Sequence, residues 1–560
     1  MDSVKGSQQQ NQKLNLGPLQ SAMDKRLKLW EDQEFARRFW SADPTLWFPN
    51  PVPEITDRMG WLGIFEPMHE QLKNLFEFAG QIKNEGIRHI VLLGMGGSSL
   101  APEVYQRTFL NEEGYPELMV LDSTHPDAVR AVESLIDITK TLFLVSSKSG
   151  TTMETLSFFY YFWNRLKDKT PNPGHNFVAI TDPDTPLVKL AKERNFRRVF
   201  EAPPDIGGRY SALTFFGLVP GALIGIDIHQ LIDRGWDMAE ACASYLLESD
   251  NPALMLGAAL GEAALAGRDK VTFFTTPSLA SFPSWIEQLI AESTGKNGKG
   301  IIPVVDEIIE QPWVYRKDRL FVFYALNSEN SAQLNDYIKA LEAAGHPVVY
   351  LTLNNKYDLG QEMFRWEMAV PAAGAILGVH PFDQPDVQLA KDLARQVMEQ
   401  KTPKSGKPEK SDVETIQIEQ KIILSKAFDG MLAGARLGDY IDIQAYLPPT
   451  IETEAILQEL RLSLRDRLKL ASTFGWGPRF LHSTGQLHKG GPNTGVFIQL
   501  VNEPTNDLHI PETNYTFGAF IQAQAIGDYR ALRQRGRRVL RINLGKDLAK
   551  GLEALSQLMM

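Results

Sequence analysis

From residue 89 onwards the chain repeats one pattern: a short apolar run, a turn rich in Gly, Ser or Thr, then a helix-period stretch. The runs HIVLL (89–93), ELMVL (117–121), TLFLV (141–145) and FVAI (177–180) form a first set. KVTFF (270–274), LFVFY (320–324) and PVVYL (347–351) form a second. Runs this short, without polar alternation, fit strands buried on both faces, as in a parallel sheet covered by helices. Their alternation with helical stretches predicts an α/β protein with two doubly wound parallel-sheet lobes, each a three-layer αβα unit, and an additional C-terminal α/β portion. The expected organisation is a helical segment over 1–85, with an amphipathic run at 61–83, a first lobe over 86–240 and a second over 241–400. KTPKSGKPEKS (401–411) reads as a linker, followed by a C-terminal portion over 412–560. That portion is expected to hold a helix at 451–470, a Gly/His-rich stretch at 475–495, and strands near 496–501 and 539–544. The apolar stretch 212–228 contains Pro220 and reads as a buried helix rather than a membrane span.

Composition narrows the class. Hydrophobic residues make up 43% and charged residues 22%, as expected of a globular chain with a large core. The single cysteine, Cys242, excludes an intrachain disulfide and suits a reducing compartment. The polar start, 1–14, lacks the basic-then-apolar pattern of a signal peptide, so a cytoplasmic location is expected. A net charge of −10 argues against nucleic acid as a partner. It argues only mildly against an anionic ligand, because a few backbone N–H groups and one or two basic side chains suffice for an anion site.

Two turns carry candidate chemistry. Gly94-Met-Gly-Gly-Ser-Ser99 follows a strand and opens a helix, so glycines let the backbone approach a ligand and free N–H groups face an anion. Ser99 stands where a dinucleotide fingerprint would have its third Gly, and Asp122 is the only candidate for a ribose-binding acid. Residues 146–155 follow another strand and bring Ser147, Ser149, Thr151, Thr152 and Thr155 to a helix start. One N-cap needs one hydroxyl; five within nine residues fit a wrapped phosphate dianion.

These turns resemble those of the sugar isomerase fold in the glucose-6-phosphate isomerase family, nearest to the isomerase part of bifunctional transaldolase/phosphoglucose isomerases. GMGGSSLAP (94–102) and SSKSGTT (146–152) resemble the family's first two turns, and IGGRYSALT (206–214) its arginine stretch. EQLIAESTGKNGKG (287–300) resembles the glutamate stretch, and HPFDQPDVQLAK (380–391) the late Gln and Lys motif. The resemblance implies reversible isomerisation of glucose 6-phosphate and fructose 6-phosphate through a cis-enediol, in glycolysis and gluconeogenesis, by a homodimer that needs no cofactor. It implies Glu292 as the proton-shuttling base, Arg209 as the stabiliser of the enediolate, and Lys391 and His482 in ring opening. Substrate binding would fall to Gly97, Ser98, Ser147, Lys148, Ser149, Thr152, Thr155, Gln288 and Gln384. The chemistry suits these types: a tuned Glu moves a carbon-bound proton, Arg keeps its charge, and imidazole donates a proton near neutral pH.

This sequence departs from the family twice. The family's histidine follows the glutamate closely, yet 301–317 contains no His. The matching Leu481-His-Ser-Thr-Gly-Gln486 lies near the C-terminus, as does Asn514-Tyr-Thr-Phe-Gly518. His380 also stands where the family more often has Asn. His380 and His488 compete with His482 for the ring-opening role. No His/Cys/Asp spacing resembles a closed metal site. Three alternatives stay open: an isomerase also acting on mannose 6-phosphate, a non-catalytic sugar-phosphate sensor, and a nicotinamide dehydrogenase. The arginines at 530–541 read as a helix end and turn, and Trp30, Trp40, Trp47 and Trp61 as packing anchors.

Overall fold

The computed structural model describes residues 11–50, 52–400 and 413–559, so the expected linker at 401–411 lies outside the described residues. The first described element corrects an expectation. β1 (Gln12–Asn15) is a strand within the segment read as helical. Its sequence, QKLN, has one apolar residue, so no local pattern marks it. It is a strand because it pairs antiparallel with an edge far along the chain, Gln12 opposite Leu351 and Asn15 opposite Val348. The rest of the segment is largely helical, ending in α1 (Phe65–Asn84), whose Phe65, Met68, Leu72, Leu75, Ala79 and Ile82 recur every three or four residues and are buried.

Among the described residues, fifteen strands form three five-stranded sheets. The first joins β2 (His89–Leu93), β3 (Glu117–Leu121), β4 (Thr141–Ser146), β5 (Phe177–Thr181) and β6 (Arg198–Glu201), all parallel, in the order β3-β2-β4-β5-β6. Its helices include α2 (Leu100–Phe109), α3 (Met153–Leu166), α4 (Phe215–Leu223) and α5 (Ile228–Ala241). α4 is the stretch around Pro220, and every residue in it is buried. The second sheet joins β7 (Lys270–Thr275), β8 (Ile302–Val304), β9 (Arg319–Leu326) and β10 (Val348–Leu353) to β1, with α6 (Phe282–Thr294), α7 (Leu359–Leu377) and α8 (Pro385–Gln400). The third holds β11 (Ile416–Gln417), β12 (Tyr440–Tyr446), β13 (Ala471–Trp476), β14 (Gly495–Val501) and β15 (Arg538–Asn543), with α9 (Ile451–Leu468), α10 (Gly485–Gly490) and α11 (Phe517–Gln534).

All three sheets share one winding. The orders β3-β2-β4-β5, β8-β7-β9-β10 and β13-β12-β14-β15 each reverse direction after their second strand in chain order. At such a reversal the two helical connections leave on opposite faces, opening a crevice beyond the carboxyl ends of the strands. In the first sheet it lies between β2 and β4, the strands that carry the two candidate turns.

The N-terminal helices and the first two sheets share one apolar core, running from Leu16 to Phe382 and including Trp30, Trp47 and Trp61. In the third sheet β12 buries two unlike faces. Ile441, Ile443 and Ala445 pack against Leu457, Leu460 and Leu464 of α9. Asp442 and Gln444 point the other way, where Asp442 accepts from Thr473 at 2.6 Å and Gln444 meets His488 at 3.3 Å. The arginines after α11 tie elements together: Arg537 donates to the carbonyls of Lys489 and Gly491, Arg538 pairs with Asp439, and Arg535 with Asp386.

The third sheet is locked to the second by arginine–carbonyl bonds. Buried Arg461 of α9 donates from Nη2 to the Val305 carbonyl at 2.7 Å and from Nε to the Ser472 carbonyl at 3.0 Å. Replacing it leaves buried acceptors unpaired. Arg461→Met is expected to cost about 2–3 kcal/mol, read as a lower urea midpoint; an unchanged midpoint counts against the lock.

Candidate active site

The Gly-rich turn after β2 and the hydroxyl-rich turn after β4 meet directly, with Ser146 Oγ donating to the Ser98 carbonyl at 3.1 Å. Two glycines are required by close approach. At Gly96 (φ +56°) a Cβ would lie 2.5 Å from the His482 carbonyl oxygen and 3.0 Å from Gln288 Nε2. At Gly97 it would lie 2.2 Å from the Gly208 carbonyl oxygen. Bare backbone therefore lets three distant segments close over one another: 94–99, the turn holding Arg209, and the segment holding His482.

In the second turn the Ser147 and Thr152 hydroxyls bond each other at 2.8 Å, and those of Ser149 and Thr151 at 2.9 Å. Thr155 Oγ1 is buried without a hydrogen-bond partner among the described residues. Lys148 is committed elsewhere, its ammonium 2.6 Å from Asp182. Gly97 and Ser98, within the Gly-rich turn, are buried.

Glu292 lies near the end of α6, buried. Arg209 is 2% exposed and uses every donor it has. Nε donates to Ser293 Oγ at 2.8 Å; Nη1 donates to Glu292 at 3.1 Å and to Gln384 Oε1 at 2.9 Å; Nη2 donates to the Pro381 and Asp383 carbonyls at 2.7 and 3.1 Å. A guanidinium offers five N–H groups, and five acceptors meet them. Burial raises the Glu292 carboxyl above its ordinary range, against the opposing charge of Arg209 and the hydrogen bond of Gln288. Gln288, one helical turn earlier, donates to the His482 carbonyl at 2.8 Å and contacts Glu292 at 3.4 Å. Beside this cluster, burial lowers the Lys296 ammonium to about 7 while it pairs with Asp383 at 3.0 Å.

His482 Nε2 bonds Glu154 Oε1 at 3.0 Å, and no other described residue is hydrogen-bonded to its ring. The same oxygen accepts from Gln524 Nε2 at 2.7 Å, and Gln524 Oε1 accepts from Thr124 at 2.7 Å. Burial alone would raise the Glu154 carboxyl; the charge and hydrogen bond of His482 and the charge of Lys391 overcome it and hold it at about 2. These groups border a cleft of about 280 Å³ lined by Ser149, Thr151, Thr152, Glu154, Lys391, His482 and Gln524. Gln288 joins that cleft to the Arg209–Glu292–Gln384 cluster through the backbone of His482.

The two competing histidines are otherwise engaged. His380 Nδ1 accepts from the Phe382 and Asp383 amides, and Nε2 meets the Pro53 carbonyl at 2.8 Å. His488 is buried against Phe480 and Phe497, and burial pushes it down to about 3.

Glu154, Gln524 and Thr124 were not singled out from the sequence. An acid in the first turn of a helix is ordinary, so Glu154 carried no special signal. Gln524 had one: with Asp528 it puts two polar residues, one turn apart, on the face of α11 that otherwise buries Phe517, Phe520 and Ile521.

The family model described as phosphoglucose isomerase matches residues 65–303, a span that includes both turns, Arg209 and Glu292. A probable glucose-6-phosphate isomerase of Methanococcus maripaludis is 29% identical over 377 residues, covering 60% of this chain and 84% of its own. The glucose-6-phosphate isomerase of Carboxydothermus hydrogenoformans is 30% identical over 394 residues, covering 59% and 84%. Among solved structures, a hypothetical protein from Thermus thermophilus superposes with a TM-score of 0.60 at 25% identity, covering 69% of this chain and all of that one.

Gly96→Ala would push a methyl into the His482 carbonyl. The expected result is a folded protein with turnover reduced about 100-fold, as displacements near 1 Å produce; wild-type turnover would show that the contact is dispensable.

Proposed function

On the premise that this chain belongs to the phosphoglucose isomerase family and is an aldose–ketose isomerase, we propose that it interconverts glucose 6-phosphate and fructose 6-phosphate through a cis-enediol, with Glu292 carrying the proton. The observation that carries this reading is the unbroken line of contacts from Arg209 through Glu292, Gln288 and His482 to Glu154, ending inside the hydroxyl-rich segment 147–155. It joins a buried carboxylate to a turn suited to a phosphate.

In this reading the phosphate rests on the turn at 147–155, and the sugar extends over the cleft toward Gln288. His482 gives a proton to the ring oxygen from Nδ1, since Nε2 is held by Glu154. Lys391, on the cleft wall, exchanges a proton with the sugar hydroxyl. Glu292 takes the proton from one carbon of the opened chain and returns it to its neighbour. A carboxylate raised by burial holds that proton more firmly than an exposed one, which suits a shuttle. Arg209, its donors all held by protein, supports the enediolate by its fixed charge rather than by a new hydrogen bond. Gln384 and Gln288 orient the substrate. The place in glycolysis and gluconeogenesis, the homodimer and the cytoplasmic location belong to the same reading.

A coupled assay on fructose 6-phosphate tests it. Glu292→Gln is expected to lower kcat by about 1,000-fold or more while binding persists. A variant at wild-type rate would favour a sugar-phosphate sensor whose function is binding alone. Equal wild-type turnover of mannose 6-phosphate would defeat the narrow substrate assignment.

The acid limb of the pH–rate profile gives a second test. The base works deprotonated, so activity falls as pH drops through the Glu292 pKa, above the ordinary value of 4.5. Arg209 opposes the raise; Arg209→Met removes that opposition and is expected to move the limb to higher pH by about 1–2 units. A limb that stays put or moves to lower pH contradicts the assignment.

A further inference from the structure

We propose that His69, His229 and Asp233 form a surface binding site for one divalent transition-metal ion of the zinc, cobalt and nickel class, bridging α1 and α5. Each residue offers one ligand atom, and these atoms lie within 4.8 Å of one another. His229 Nδ1 and Asp233 Oδ2 are 2.9 Å apart on adjacent turns of α5, and the rings of His69 and His229 lie edge to face at 5.2 Å. Bonds of about 2.0–2.2 Å in a tetrahedral site set donors roughly 3.3–3.6 Å apart. The ion would replace the 2.9 Å contact of His229 with Asp233, opening that pair slightly while His69 moves in from within 4.8 Å by side-chain rotation.

The packing of the two helices fixes this meeting. Phe65 of α1 stacks on Trp236 of α5 at 6.0 Å, and Gly235 leaves room for the Phe65 ring, which a Cβ there would meet at 2.7 Å. His69 lies one turn after Phe65, whereas Asp233 and His229 lie one and two turns before Trp236. The helices therefore run antiparallel, with the three donors stacked along the seam just beyond its aromatic contact. The scaffold is set before any ion arrives.

The chemistry favours a metal of this class. Two imidazoles and a carboxylate suit zinc, cobalt or nickel, whereas magnesium and calcium prefer oxygen alone. His69 makes no hydrogen bond among the described residues, so ligation would cost it no protein partner. The nearest cation on α5, Arg234, is turned to Asp237 at 3.2 Å and Asp358 at 3.3 Å. Both histidines are exposed, leaving water free to complete the coordination. None of the three lines the substrate cleft. The ion would act as a clamp, tying the helix that leads into β2 to its neighbour.

The test uses the full chain without a purification tag, stripped with EDTA and desalted. Cobalt is followed by its visible absorption and zinc by calorimetry. One equivalent per chain is expected to bind in the micromolar range or tighter. His69→Ala and His229→Ala should each weaken it by at least about ten-fold, which is 1.4 kcal/mol, and Asp233→Asn should weaken it as well. Isomerase activity should persist in all three, since they are surface residues outside the cleft, and it also reports that they fold. No saturable binding below about 100 µM, or binding unchanged in His229→Ala as for an adventitious ion elsewhere, would overturn the proposal.

Discussion

A guanidinium sealed away from water must find an acceptor for each N–H, and Arg209 does so by drawing on two distant parts of the chain. It rises from a turn after the first sheet, and its acceptors come from α6 and from the loop before α8. Meeting that demand fixes where 381–384 lies, and with it Gln384 and the start of the helix that carries Lys391. It also fixes the charge beside Glu292. The unfavourable burial of a carboxylate and of an arginine is thus turned into one positioned pair, which neither group could form in a looser setting. Lys296 reinforces the loop from the other side, through Asp383 and the His380 carbonyl.

The second requirement is close approach without side chains. His482 reaches its place only because Gly96 leaves nothing between the turn and its carbonyl. The last third of the chain thereby contributes to the cleft, supplying His482 from the segment before α10 and Gln524 from α11. Glu154 receives both, so one carboxylate oxygen joins the first sheet to elements more than 300 residues later.

Much of this was legible. Strands buried on both faces announce themselves as apolar runs, and β2, β3, β4, β5, β7, β9 and β10 were read from them within a few residues. Where burial is not matched by apolarity the reading failed. β12 hides Asp442 and Gln444 on one face, so its run is broken, and β1 is a strand only because a distant edge accepts it. The site divides in the same way. Glu292, Arg209 and the two turns sit in dense local motifs, and the structure brings them into one neighbourhood. Lys148 matches such a motif, yet its ammonium is held by Asp182, a pairing across 34 residues that the motif does not encode. Glu154 and Gln524 act through contacts across hundreds of residues, which no local spacing encodes.

The antiparallel pairing of β1 with β10 has a wider bearing. An outermost strand leaves a row of backbone donors and acceptors open, and such a row recruits further strands, including those of other molecules. Here a four-residue ribbon with a lysine in it closes that row on the second sheet. Its value is less in the few bonds it makes than in the ones it forecloses. A short, plain piece of sequence keeps a broad parallel sheet from growing.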